Sequence, residues 1–149
     1  MRKVAIQDLA SLVGQEIGVS DWLVVEQSRI DLFAQATGDH QWIHVDIERA
    51  SREMGGTIAH GFLVLSLLSV LHEAIIQVTG VAHGLNYGLN KVRFTGTTPA
   101  GSRVRLRERL LSVEPKGAGI LATYEFVVER EGGDRPVCVA EALGLMMPA

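Results

Sequence analysis

The stretch GDHQWIH, Gly38 to His44, sets a carboxylate five positions before an imidazole, with a further imidazole, His40, directly after the acid. Histidine changes protonation near neutrality, with an unperturbed pKa of about 6.5, and burial can shift it or a neighbouring carboxylate. Two such groups sharing one water can take a proton from oxygen and deliver one to carbon, which is general acid–base chemistry. The residues alone leave a second reading open, in which Asp39 caps the following turn and His44 is a satisfied, half-buried histidine.

A second polar feature stands in IAHGFLVLS (58–66), where His60-Gly61 marks the start of an apolar helical pattern. Free amides and the positive dipole end of a helix favour developing negative charge, and glycine lets a ligand approach the backbone. An enolate-like oxygen would sit well there. The alternative is that Gly61 only eases the chain into a buried helix while His60 caps or packs beside it. Ser66 and Ser69 lie on the same helix outside any G-x-S-x-G elbow, so they either bond back to the preceding turn or position substrate.

Other chemistries find less support. His40 and His44 have the i, i+4 spacing of a helical zinc pair, with Asp39 and Asp46 close by, but no further Cys/His cluster exists and His72-Glu73 lacks the second histidine of HExxH. No metal is expected. GTTPAGS (96–102) lacks the lysine of a phosphate loop, and no G-x-G-x-x-G occurs. Arg103, Arg105, Arg107 and Arg109 alternate with Val104, Leu106, Glu108 and Leu110, which puts the arginines on one face of a strand. That face is expected to be solvated; alternatively one or two of them, or Lys91 and Arg93, meet the phosphates of a bulky substrate.

These residues need a scaffold, and 149 residues suit a single domain, 1–149, that can bury roughly 70% of its unfolded surface. A formal charge of −3 lacks the basic footprint of a nucleic-acid binder. The sole cysteine, Cys138, fits a reducing compartment, and acids at Asp8 and Glu16 spoil the N-terminus as a signal peptide; a cytoplasmic location is expected. The run GFLVLSLLSVL (61–71) falls short of the roughly 20 residues needed to span a bilayer, so no membrane partner is expected.

Leu9, Leu12 and Val13 suggest a short helix closing at Gly14, and WLVVE (22–26) a strand. Helical spacing from Ser28 ends at Gly38, and a second helix over 46–54 has Asp46 as N-cap and Gly55-Gly56 as its stop. A helix apolar on every side runs from Gly61 to Thr79, and it must be covered on every side. Runs at 85–95, 102–113, 119–130 and 136–147 read as consecutive antiparallel strands, with the even residues of 120–128 buried. The economical architecture is α+β: a curved antiparallel sheet around that helix, with a second copy covering what one sheet leaves open.

FAQATGDHQWIHVDIERA (33–50) and IAHGFLVLSLLS (58–69) together resemble the signature of the MaoC-like dehydratases and R-specific enoyl-CoA hydratases of the hot-dog superfamily. NYGLNKVRF (86–94) further resembles the subgroup near nodulation protein N. The resemblance implies a hot-dog fold, a homodimer, and a trans-2-enoyl thioester of CoA or a carrier as substrate, CoA belonging to the substrate and no separate cofactor being needed. It implies Asp39 and His44 as the catalytic acid/base pair, Gly61 as the oxyanion-hole amide and Ser69 as a supporting, substrate-positioning serine. Gln41-Trp42 replaces the family's common Asn-Pro. The competing readings are a hot-dog thioesterase, which would direct water at the carbonyl carbon, and a non-catalytic acyl-binding or dimerisation module.

Overall fold

The chain begins with β1 (Arg2–Ala5) and a 3₁₀ helix (Ile6–Leu12) whose Leu9 and Leu12 are buried. Two short strands, β2 (Glu16–Val19) and β3 (Leu23–Val25), lead into helix α1 (Gln27–Thr37) in a computed structural model that describes residues 1–149. Gly38 ends α1 as expected: at φ 81° it takes the left-handed conformation that glycine tolerates, and its amide returns to the Ala34 carbonyl.

The segment after Gly38 is more ordered than its composition suggests. Trp42–Val45 forms one helical turn, α2, because the Gln41 carbonyl accepts the His44 amide and the Trp42 carbonyl accepts that of Asp46, both at 3.0 Å. Helix α3 (Ile47–Met54) follows, with the Asp46 carboxylate accepting the Arg49 amide at 2.9 Å. Removing this cap by Asp46→Ala should cost about 1 kcal/mol, read as a lowered midpoint in chemical denaturation.

The central helix is α4 (Gly61–Ser66) followed by α5 (Leu68–Ile75). Leu67 between them stays right-handed at φ −70°, ψ −14°, so the two run on with a hitch. The helix does not continue to Thr79. Ile76–Thr79 turns extended as β4 and pairs in parallel with β1, because a distant strand supplies a ladder to β-prone residues. No helix is long and apolar enough to cross a membrane.

The remaining strands are β5 (Val81–Arg93), β6 (Ser102–Lys116), β7 (Gly119–Arg130) and β8 (Cys138–Pro148). Strands β6, β7 and β8 form the expected meander, but β5 crosses to the far side of β8, giving the order β2-β6-β7-β8-β5 with β3 also on β6. Ala122, Tyr124, Phe126 and Val128 face inward, packing with Leu63, Val64, Leu67, Leu68 and Leu71 of the helix.

The arginine face of β6 is a ladder of surface ion pairs: Arg103 with Glu131, Arg105 with Glu129, and Arg107 with Glu16 and Glu129. These arginines therefore have carboxylate partners within the chain. Cover over the helix is incomplete, as expected, with Phe62 68% and Val70 48% exposed.

Candidate active site

His44 is placed by a clamp that spans three separate segments. The Ile58 amide bonds to the Ile43 carbonyl at 3.0 Å, Ala59 to Thr98 at 2.8 Å and Ala100 to Thr57 at 2.9 Å, so residues 57–59 are held between α2 and the 98–100 loop. The Ile58 carbonyl thereby meets His44 Nδ1 at 2.7 Å. A carbonyl can only accept, so Nδ1 carries a hydrogen, and in the neutral ring the lone pair is on Nε2. From α1, Gln27 Nε2 donates to the His44 carbonyl at 2.8 Å, and the Thr57 hydroxyl donates to Gln27 Oε1.

Asp39 is exposed at the end of α1, with one carboxylate oxygen accepting the Gln41 amide at 3.3 Å. His60 ties it to His44. The His60 ring is 2% exposed, donates from Nε2 to the Asp39 carbonyl at 3.0 Å, and stacks on His44 with centroids 3.8 Å apart and planes 23° apart. Phe33 packs the ring further, at a centroid distance of 4.9 Å. An Asp39 carboxylate oxygen, a His44 nitrogen and a His60 nitrogen lie within 4.8 Å of one another. One water making two ordinary hydrogen bonds of about 2.7–3.0 Å can bridge that gap.

Gly61 joins the same site. It and His44 line a cleft of about 480 Å³ with Val64, Phe94, Thr97 and Arg135. As the first residue of α4, Gly61 has an amide without an intrahelical acceptor, and no turn or loop carbonyl takes it. A Cβ at this position would stand 3.1–3.2 Å from the Phe94 ring, so any larger residue needs that ring to give by a few tenths of an ångström.

Ser69 is not brought to this cleft. It lines a different cavity, of about 660 Å³, between the central helix, β5 and β8. The helical rise carries it about 12 Å along the axis from Gly61. Ser66 takes the bland role, donating to the Phe62 carbonyl at 2.7 Å. His40 is exposed and outside the cluster. Cys138 is buried, which pushes its thiol up to about 11 and leaves it un-ionised at neutral pH.

The cluster could offer a cation three donors, but the rings of His44 and His60 are stacked nearly parallel, so their in-plane lone pairs run alongside each other instead of converging as a zinc site requires. The geometry suits a proton-transfer site. Sequence reasoning left His60 undecided and missed Gln27, Thr57 and Ile58. The pairing of His60 directly with Gly61 was the one local signal; the others lie too far along the chain to show.

Residues 8–130 match the family described as MaoC like domain. The chain belongs to the MaoC-like family. It is 50% identical over 141 residues to 3-hydroxyacyl-thioester dehydratase Z of Mycobacterium tuberculosis, covering 93% of each chain, and 49% identical over 144 residues to nodulation protein N of Rhizobium leguminosarum bv. viciae, covering 94% and 89%. Among solved structures, this MaoC-like chain superposes on R-hydratase PhaJ1 from Pseudomonas aeruginosa with a TM-score of 0.75 at 23% identity, over 92% of this chain and 83% of that one. The (R)-hydratase from A. caviae gives 0.73 at 21%, over 91% and 96%. The curved sheet around a central helix is therefore the hot-dog fold. Near-full-length similarity to a dehydratase places the MaoC-like chain among the hydro-lyases, which add or remove water.

Proposed function

We propose that this MaoC-like protein is an (R)-specific enoyl-CoA hydratase/dehydratase. One observation carries the reading: a carboxylate and an imidazole with a free Nε2 stand within one water's span of each other, beside a helix-start amide that has no acceptor. In the hydration direction the thioester oxygen accepts from the Gly61 amide, which draws electron density from the conjugated double bond. Asp39 and His44 hold a water at Cβ, where the new C–O bond forms as the water gives up a proton to the pair. The pair returns a proton to Cα on the same face, and the product is a (3R)-3-hydroxyacyl thioester. The roles of base and acid are assigned to the pair as a unit. CoA belongs to the substrate, and the chemistry calls on no separate cofactor.

His60 is a positioning residue in this scheme. It never touches the reacting atoms but sets the Asp39 main chain and the His44 ring plane. His60→Leu should lower kcat with KM little changed, the pattern of lost orientation. A change confined to KM would remove His60 from this role.

The active unit in this reading is a homodimer. Strand β5 is an edge of the sheet with a run of exposed residues, Leu85 53%, Tyr87 49% and Leu89 44% among them. A long exposed edge of this kind invites pairing with another strand, and a second β5 across a two-fold axis would also bring cover toward Phe62 and Val70. Light scattering of the purified protein should give twice the chain mass.

The activity test is ultraviolet monitoring of crotonyl-CoA and longer trans-2-enoyl-CoAs, coupled to a stereospecific assay of the product. Loss of the conjugated absorbance without release of free thiol is expected. Free thiol would instead indicate a thioesterase, and tight binding without turnover at any pH would indicate an acyl-binding module.

A further inference from the structure

The central helix presents a second polar pair, away from the cleft lined by His44 and Gly61. Glu108 lies on β6 among Val104, Leu106 and Leu110, and is 1% exposed. Its Oε2 accepts from His72 Nδ1 of α5 at 2.8 Å, while its Oε1 is buried without a partner. A buried carboxyl group is costly to hold away from water, so its place in the core is not explained by a gain in stability.

The pair opens onto the second cavity. His72 packs edge-on to Tyr124 and against Phe126, with centroids 4.9 and 5.6 Å away, and its side chain remains 26% exposed. His72, Tyr124 and Ser69 line the cavity together with apolar residues such as Leu65, Leu143 and Met146. Because Nδ1 is engaged by Glu108, Nε2 is the ring nitrogen left for a ligand. Burial, and then the Glu108 charge, hold the Tyr124 phenol well above its usual range, so it stays neutral. An apolar cavity with one carboxylate-oriented imidazole in its wall has the features of a recognition site: bulk apolar contact with a placed polar group that selects.

We infer that this cavity receives the substrate's acyl chain, and that His72, oriented by Glu108, hydrogen-bonds an oxygen carried on that chain away from the thioester, as a hydroxyl or keto group. The inference rests on the acyl-thioester reading above and adds a substrate class to it: chains oxygenated at a distance from the reacting carbons. His72 is 11 residues beyond Gly61, and a helix advances 1.5 Å per residue, which puts the two about 16 Å apart along the axis. The recognised oxygen is accordingly remote from Cα and Cβ. Plain alkyl chains would leave His72 Nε2 facing an apolar chain without a partner, which is how a polar site rejects an apolar analogue.

The test is calorimetric binding of saturated acyl-CoAs, which cannot be turned over, to the intact wild-type protein. The ligands form a series of one chain length with a hydroxyl moved along the chain, plus the unsubstituted chain. Tighter binding by about tenfold is expected at one or two hydroxyl positions, and the preference should fall to about one in His72→Leu and shrink in Glu108→Gln. Plain chains binding as well as every hydroxylated one, a preference that survives His72→Leu, or no binding by any chain would each overturn the inference; the last would mean that the second copy fills the cavity. Turnover of crotonyl-CoA is scored separately. A retained hydroxyl preference without turnover would sink the hydratase reading and leave the recognition site standing, and turnover without the preference would do the reverse.

Discussion

Asp39→Asn and His44→Gln should each lower kcat by about 10²–10⁴-fold, the range typical of general acid–base groups, with the protein still folded. Both replacements keep shape while removing the ability to take up and release a proton. In the first, the asparagine side-chain oxygen can still accept the Gln41 amide, the bond Asp39 makes at 3.3 Å, and the position is exposed, so little stability is at stake. In the second, the glutamine amide can still donate to the Ile58 carbonyl, which receives His44 Nδ1 at 2.7 Å in the wild type. What glutamine lacks is a nitrogen lone pair that can become an N–H. Because the two groups act on one water, the double variant should fall little below the worse single one. Steady-state kinetics with a denaturation curve for each variant checks this; near-normal turnover in either single variant contradicts the assignment.

Gly61→Pro should lower kcat by about 10²–10³-fold, the usual effect of deleting one oxyanion donor, and by clearly more than Gly61→Ala. Proline is accepted at the first position of a helix, where its missing N–H had no intrahelical partner, and His60 before it is extended at φ −58°, ψ 138°, as a residue preceding proline must be. Alanine keeps the amide but brings a Cβ to within 3.1–3.2 Å of the Phe94 ring, so it reports the steric part alone. The excess loss in the proline variant reports the missing N–H together with the ring carbons that replace it. Equal losses would mean that crowding against Phe94, and not the amide, accounts for the effect.

Much of the scaffold was legible residue by residue, because short-range physics wrote it. Gly38 and Gly55 stop α1 and α3 since their left-handed conformations, φ 81° and 82°, suit glycine, and Asp46 caps α3 by a bond three residues away. The alternation of Ala122, Tyr124, Phe126 and Val128 reports a buried strand face because side chains in a strand repeat every second residue. The candidate acid and histidine were legible for the same reason: GDHQWIH holds them five residues apart in one stretch, and the likeness to a known signature pointed to Gly61 beside them.

What depended on contacts between distant parts of the chain was not legible. The helical pattern through Thr79 breaks at Ile76 because β1, more than seventy residues earlier, offers a parallel ladder, and β5 leaves its sequence neighbours for β8. Glu108 gave a signal that could have been used, since it sits on the apolar side of an alternating strand, but only the fold shows His72 waiting for it 36 residues back. The same holds for His60 reaching the Asp39 carbonyl across 21 residues and for Gln27 holding the His44 carbonyl across 17. Periodicity and capping are properties of a few consecutive residues, so the elements, the closeness of Asp39 to His44 and the family resemblance could be read from the chain as written. Strand order, the tautomer of His44 and the two polar walls of the cavities arise from pairings between segments, and those came into being only when the chain closed on itself.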